Sequence, residues 1–110
     1  ALARTVFIPI YRKMLASMAA YDPVAEIKRA RVPILIVNGE FDLQTTVADF
    51  NALKAARPDA TAVLIPQTNH VFKRVASADL AIQTATYRDP SLPIVPELTN
   101  AVAGWVKAQR

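Results

Sequence analysis

Two residues with the chemistry for proton transfer each follow an apolar run of the chain. Asp42 lies in the loop after residues 32–37, and His70, the only histidine, lies in the loop after residues 61–65. An imidazole can take and return a proton at neutral pH, and a carboxylate beside it fixes its tautomer and stabilises its protonated form. Asp42 and His70 therefore have the chemistry of the acid and the general base of an acyl-transfer site.

Each residue type also has a purely structural interpretation. An aspartate after a strand is often a turn former, whose carboxylate accepts hydrogen bonds from nearby amides. A single histidine in a loop is more often a surface or structural residue than a catalytic one. The pair is more informative than either member, because adjacent parallel strands place the loops at their carboxyl ends side by side. The sequence predicts that the two side chains meet, and leaves their role open.

The elements that would carry these loops form a strand, helix, strand unit. Residues 32–37 are apolar without polar alternation, which is typical of a strand buried on both faces of a parallel sheet, and residues 61–65 form a second such strand. Between them we predict a helix over residues 47–57, since Thr46 and Asp49 lie at capping-box spacing. The connection makes the strands parallel. The predicted fold class is α/β, with two parallel strands flanked by helices.

Helical spacing of apolar residues continues on both sides of this unit. A helix is predicted to begin near Pro9, and a short helix over residues 23–29 has Asp22 as its N-cap. After the second strand come a weakly helical stretch, residues 77–86, and a last amphipathic helix from Pro96. We expect these helices to cover the sheet.

Composition excludes several classes of function. The 13 basic and 9 acidic residues give a charge of +4, but the basic residues do not form one face with stacking aromatics, so no nucleic-acid partner is expected. No apolar run approaches the ~20 residues of a membrane span, so we expect a soluble chain with no membrane partner. The absence of cysteine excludes thiol catalysis and leaves the compartment open between cytoplasm and periplasm or secretion. Without metal-ligand spacing or a glycine-rich phosphate loop, no metal or cofactor is expected.

Longer stretches around the two candidates carry a family resemblance. They are residues 21–44, in which Gly39 and Asp42 form a Gly-x-x-Asp loop, residues 60–66, residues 69–73 around His70, and the proline-rich residues 87–98 before the last helix. In this order they resemble the C-terminal part of an α/β-hydrolase of the bacterial esterase or serine aminopeptidase-like kind. The resemblance implies that Asp42 is the triad acid and His70 the general base. It also implies that residues 1–20 are a helical connection from lid to core, and that residues 21–110 are the C-terminal part of the hydrolase domain.

Three apolar side chains flank the proposed acid and base. Phe41, Leu43 and Phe72 are candidates for lining the binding pocket of a small acyl substrate, and core packing is at least as common a role for residues of these types. The identity of the substrate is not encoded here, because esters, thioesters, amides and peptides share this machinery and selectivity resides mostly in a lid and pocket.

The nucleophile that the resemblance requires is missing. A functional member has a serine in a G-x-S-x-G turn upstream of the acid, with an oxyanion hole beside it. Ser17 lies in a helical pattern without glycines, and Ser77 and Ser91 follow the histidine. We therefore expect no hydrolase activity from these 110 residues alone, and expect them to be a C-terminal fragment of a serine hydrolase that acts on esters or related acyl compounds.

Two alternatives belong to other classes of protein. The chain could be a binding or interaction module that keeps half of a hydrolase sheet without catalysis, or an unrelated small α/β domain with a chance Asp–His pair. The first strand would have an open edge, and open edges of apolar strands tend to pair with other chains. The expected partner is therefore an N-terminal half that carries the nucleophile, or a second copy of the chain bound through this edge.

Overall fold

The computed structural model describes residues 9–109. Within this range the chain forms five helices and two strands. In chain order they are α1 (Pro9–Ala19), α2 (Pro23–Arg29), β1 (Leu35–Gly39), α3 (Val47–Ala56), β2 (Thr61–Ile65), α4 (Leu80–Tyr87) and α5 (Pro96–Ala108). Most of the first half of the predicted lid-to-core connection, residues 1–8, lies outside the described residues.

The two strands form a parallel sheet connected through α3. The register runs from Leu35 opposite Thr61 to Gly39 opposite Ile65. Helices α3 and α5 both contact the sheet. This arrangement confirms the predicted α/β class, with two parallel strands flanked by helices.

Strand β1 begins three residues later than predicted and extends two residues further. Pro33 has no N–H to donate to a ladder, and Val32 before it is 62% exposed. The first ladder bond instead joins the Thr61 N–H to the Ile34 carbonyl at 3.0 Å. The strand then continues through Asn38 and Gly39, because β2 still offers backbone partners there. Apolar pattern marked the centre of this strand, and backbone hydrogen bonding set its ends.

Helix starts follow the capping residues closely. The Asp22 carboxylate accepts a hydrogen bond from the Val24 N–H at 3.0 Å. Thr46 and Asp49 form the predicted reciprocal capping box of α3, in which the Asp49 carboxylate accepts from the Thr46 N–H at 2.7 Å. Helix α4 begins at Leu80 rather than near Ser77, because the Asp79 carboxylate caps its first amides.

The hydrophobic core is small and lies around the sheet. Its buried apolar side chains are Ile36, Phe50, Ile65, Val75 and Val95. Many other large apolar side chains stay at least one third exposed, including Met14 and Met18 on α1 and Val102 and Val106 on α5. No helix within residues 9–109 is long and apolar enough to cross a bilayer.

Arg57 joins three elements at the edge of the sheet opposite the candidate site. Its guanidinium donates to the carbonyls of Ile27 at 3.0 Å and Ala30 at 2.5 Å, and it pairs with Asp59 at 2.9 Å. These bonds hold the end of α2 against the turn between α3 and β2. They satisfy carbonyls at a helix end that would otherwise lack partners.

Candidate functional site

The candidate site lies at the carboxyl edge of the sheet, where two loops meet. The acid loop, residues 40–46, follows β1, and the histidine loop, residues 66–74, follows β2. Backbone bonds continue the sheet into both loops, from Glu40 N–H to the Ile65 carbonyl and from Phe41 N–H to the Thr68 carbonyl, each at 2.9 Å. The parallel register therefore brings together two loops that are far apart in sequence.

Gly39 allows the close approach of the loops. A Cβ atom built at this position would overlap the Thr68 carbonyl oxygen and lie 2.8 Å from the Thr68 carbonyl carbon and 2.9 Å from the Asn69 carbonyl oxygen. A side chain here would push the histidine loop away from the acid loop. Glycine is required at this position because of space, since its φ is not positive.

Asp42 uses its two carboxylate oxygens for different purposes. Oδ1 accepts hydrogen bonds from the N–H groups of Gln44 at 2.8 Å and Thr45 at 2.9 Å. Oδ2 lies 2.9 Å from Nδ1 of His70, which is 28 positions away in sequence. The structure therefore brings the two predicted residues together. It also shows Asp42 as a turn former, so the structural and the chemical interpretation apply to different oxygens of one carboxylate.

The hydrogen bond to Asp42 fixes the tautomer of the neutral imidazole. An ionised carboxylate only accepts hydrogen bonds, so Nδ1 of His70 carries the proton. Nε2 is then left with a free lone pair, as a general base requires. The Asp42 side chain is 6% exposed and that of His70 is 39% exposed, so the acid is shielded while the imidazole reaches the surface.

The histidine loop is held in shape by Asn69. Its Oδ1 atom accepts from the N–H groups of Val71 at 3.2 Å and Lys73 at 3.0 Å, and the residue is completely buried. Phe72 takes a positive φ of 56°, which is an uncommon conformation for a bulky residue. Its carbonyl accepts the Val95 N–H at 2.9 Å, so the start of α5 supports this part of the loop.

Helix α4 contacts both loops, and sequence reasoning did not predict this. The Gln83 Nε2 atom donates to the Phe41 carbonyl at 2.6 Å, next to Asp42. The Asn69 Nδ2 atom donates to the Thr86 hydroxyl at 2.7 Å, next to His70. The only available signal was the three-residue spacing of Gln83 and Thr86, which puts both on one helix face, in a segment whose helical pattern was weak.

Lys73 completes this contact. Its ammonium group donates to the carbonyls of Thr86 at 2.9 Å and Asp89 at 2.5 Å, so it caps the carboxyl end of α4. Arg74 beside it donates to the Pro66 carbonyl at 2.5 Å and pairs with Glu97 of α5. These two cations therefore tie the histidine loop to the end of α4 and to α5.

The three predicted pocket residues lie in the two loops. Phe41 and Phe72 are partly buried, and Leu43 is 43% exposed. Their role in lining an acyl pocket stays a prediction. A cavity of about 440 Å³ lies beside the acid loop, between α2 and α3, and none of the three residues lines it. It is lined by Asp22, Pro23, Val24, Gln44, Thr45, Asp49, Ala52 and Leu53.

The hydroxyl groups of the serines after His70 have structural roles. Ser77 Oγ accepts the Asp79 N–H at 3.0 Å, and Ser91 Oγ donates to the Asp89 carboxylate at 2.6 Å. The latter bond and the Ser91 N–H lower the pKa of Asp89 below its usual value. Across residues 9–109, no three His, Asp or Glu side chains are grouped as metal ligands would be.

Comparison with protein-family models, with curated proteins and with solved structures found no match.

Proposed function

We propose that this chain is the C-terminal part of an α/β-hydrolase that acts on esters or related small acyl compounds. Asp42 is the acid and His70 the general base of a Ser–His–Asp triad. The observation that most supports this is the 2.9 Å contact between His70 Nδ1 and Asp42 Oδ2, at the carboxyl ends of two adjacent parallel strands. Such a site is where open α/β sheets gather their catalytic groups.

In this proposal His70 Nε2 moves the proton of the reaction. It takes the proton of a serine hydroxyl as that oxygen attacks the acyl carbon, and then gives it to the leaving group. The imidazolium that forms in between is stabilised by the Asp42 carboxylate. Because Oδ1 of Asp42 is held by two backbone amides, the carboxylate keeps its orientation while the ring changes its protonation.

The nucleophile and the oxyanion hole are proposed to lie on polypeptide outside this sequence. Two features of the described residues support such a partner. Within the two-stranded sheet, β1 has a strand on one side only, and an apolar parallel strand with a free edge tends to pair. The His70 side chain is also 39% exposed, in the loop at the carboxyl end of β2, so the ring is accessible to a group from another segment.

The first experiment is the intact mass of the protein isolated from its natural source, measured under denaturing conditions, followed by labelling with a fluorophosphonate that reacts with activated serines. The proposal predicts a labelled species with a mass well above the 12.0 kDa of this chain, or a labelled partner that copurifies with it. The isolated 110-residue chain should not be labelled. A single, unlabelled 12.0 kDa species would reject the hydrolase and favour a binding module.

The matched variants are made in the labelled species. His70→Ala should abolish labelling, because the serine loses its base. Asp59→Asn is the control, since Asp59 is a carboxylate at the opposite edge of the sheet that pairs with Arg57. Labelling that survives His70→Ala, or that is lost equally in the control, would contradict the assignment of His70.

A further inference from the structure

Helix α4 makes a hydrogen bond to the residue before each member of the Asp42–His70 pair. On the acid side, Gln83 Nε2 donates to the carbonyl of Phe41 at 2.6 Å. Gln83 is 0% exposed, and its Oε1 has no hydrogen-bond partner among the described residues. A buried amide with one unpaired oxygen is costly to keep. The hydrogen bond from the Gln83 amide to the Phe41 carbonyl is therefore the feature that explains a glutamine at this position.

On the histidine side, α4 contacts the histidine loop through Thr86. The Thr86 hydroxyl accepts from Asn69 Nδ2 at 2.7 Å. Asn69 Oδ1 in turn accepts hydrogen bonds from the N–H groups of Val71 and Lys73, which follow His70 in the chain. All of these groups are buried or partly buried, so water competes little for the bonds.

The two sides are joined within the helix. The Thr86 hydroxyl donates to the Gln83 carbonyl at 2.7 Å, so the bonds run without a break from Asn69 through Thr86 to the backbone of Gln83. Tyr87, the next residue, accepts from the Gln44 side chain of the acid loop at 3.3 Å. One short helix therefore contacts both loops from one face.

We propose that Gln83 and Thr86 are positioning residues that set the distance between Asp42 Oδ2 and His70 Nδ1. The catalytic meaning of this inference rests on the proposed function, but the geometry that it describes does not. Three bonds hold the two loops together directly: the Phe41 N–H to the Thr68 carbonyl, the Gln67 N–H to the Glu40 carboxylate at 2.9 Å, and the Asp42–His70 bond. Without α4, each loop could shift by the fraction of an ångström that breaks a side-chain hydrogen bond.

The experiment uses the 110-residue chain labelled with ¹⁵N and long-range ¹H–¹⁵N correlation spectra of the imidazole. Since His70 is the only histidine, all imidazole signals belong to this residue, and only its two ring nitrogens have to be told apart. At a pH where the ring is neutral, the wild-type spectrum should show the Nδ1–H tautomer in about tenfold excess. In Thr86→Val, which keeps the shape and removes the hydroxyl, that excess should fall by several fold towards parity.

Thr84→Val is the matched control. Thr84 lies two positions away on the same helix, is exposed, and its hydroxyl bonds only to carbonyls of the helix itself, Leu80 at 2.9 Å and Ala81 at 3.2 Å. Its tautomer ratio should equal that of the wild type. Thr86→Ser, which restores a hydroxyl, should recover the ratio, and Gln83→Met should lower it as Thr86→Val does.

An unchanged tautomer ratio in both folded Thr86→Val and folded Gln83→Met would overturn the inference, as would an equal loss in Thr84→Val. If those variants do not fold, the wild-type chain is heated while amide exchange of α4 and the tautomer ratio are followed together. The excess of the Nδ1–H tautomer should disappear as the amides of α4 lose their protection from exchange. An excess that persists after α4 has opened would overturn the inference. Because this readout needs no nucleophile, it is independent of the labelling result that tests the proposed function.

Discussion

Replacing Asp42 with asparagine should reverse the tautomer of His70. The Oδ1 position is held by the N–H groups of Gln44 and Thr45, so the oxygen of the new amide must remain there. The NH₂ group then takes the Oδ2 position, 2.9 Å from His70 Nδ1. Two donors cannot face each other, so Nδ1 must become the acceptor and the proton must move to Nε2.

The size of the effect follows from the two hydrogen bonds. A bond between an imidazole N–H and a carboxylate is worth about 1.5–3 kcal/mol, and the 39% exposure of the ring puts this one near 1.5 kcal/mol. An energy of this size corresponds to an excess of about tenfold of the Nδ1–H tautomer over the Nε2–H tautomer in the wild type. In Asp42→Asn the neutral bond of about 0.5–1.5 kcal/mol favours Nε2–H by roughly two- to tenfold.

The assay is the same ¹⁵N spectrum of the imidazole, recorded for the wild type, Asp42→Asn and the control Asp59→Asn. Only Asp42→Asn should exchange the two nitrogen signals between protonated and unprotonated positions. Its free energy of unfolding should change by only about 1 kcal/mol, since the bonds to Oδ1 are kept. In a species that labels with fluorophosphonate, turnover should fall by about 10⁴-fold, the loss this change causes in a serine protease.

One result would refute this reasoning directly. If Nδ1–H stays the major tautomer in folded Asp42→Asn, the carboxylate does not determine the state of the ring. The 2.9 Å contact would then have no consequence for proton transfer, and Asp42 would be left with its turn-forming role alone.

Three further predictions concern the framework of the site. Gly39→Ala should destabilise the fold by about 3 kcal/mol in chemical denaturation, because the new Cβ meets fixed backbone. The control Gly104→Ala, whose Cβ meets nothing within 4 Å, should stabilise α5 by about 0.5–1 kcal/mol. Equal effects of the two substitutions would contradict the packing argument. The hydrogen bonds from the Thr46 hydroxyl and N–H lower the pKa of Asp49 below 3.8. The Asp49 carboxylate therefore contributes stability above pH 3.8, and this contribution is lost as the pH falls through the lowered pKa. Amide exchange at the start of α3 should accelerate in that pH range, and Asp49→Asn should remove the pH dependence. Arg57→Met should lower the midpoint of urea unfolding, because the carbonyls of Ile27 and Ala30 lose their donor, and an unchanged midpoint would contradict that role.

Much of the fold could be predicted from local signals. Thr61–Ile65, the capping box at Thr46 and Asp49, the N-cap at Asp22 and the helix start at Pro96 all lie where predicted, because each depends on side chains within a few positions. The meeting of Asp42 and His70 was also predictable, since it needs only two parallel strands and the loops that follow them. The roles of these two residues in catalysis, and of Phe41, Leu43 and Phe72 in binding, stay predictions.

The tertiary structure decided what local pattern could not. Gln83 and Thr86 are polar residues of a weakly helical segment, and Lys73 belongs to the histidine loop. The bonds that these residues make between α4 and the two loops span 13 to 42 positions of sequence. Such bonds depend on where α4 packs, which no short-range periodicity encodes. The sequence by itself therefore determined which strands lie side by side, and that Asp42 and His70 lie in the loops that follow them. Packing decided how those side chains are held, because a buried polar group takes its partner from whichever backbone the fold brings within 3 Å.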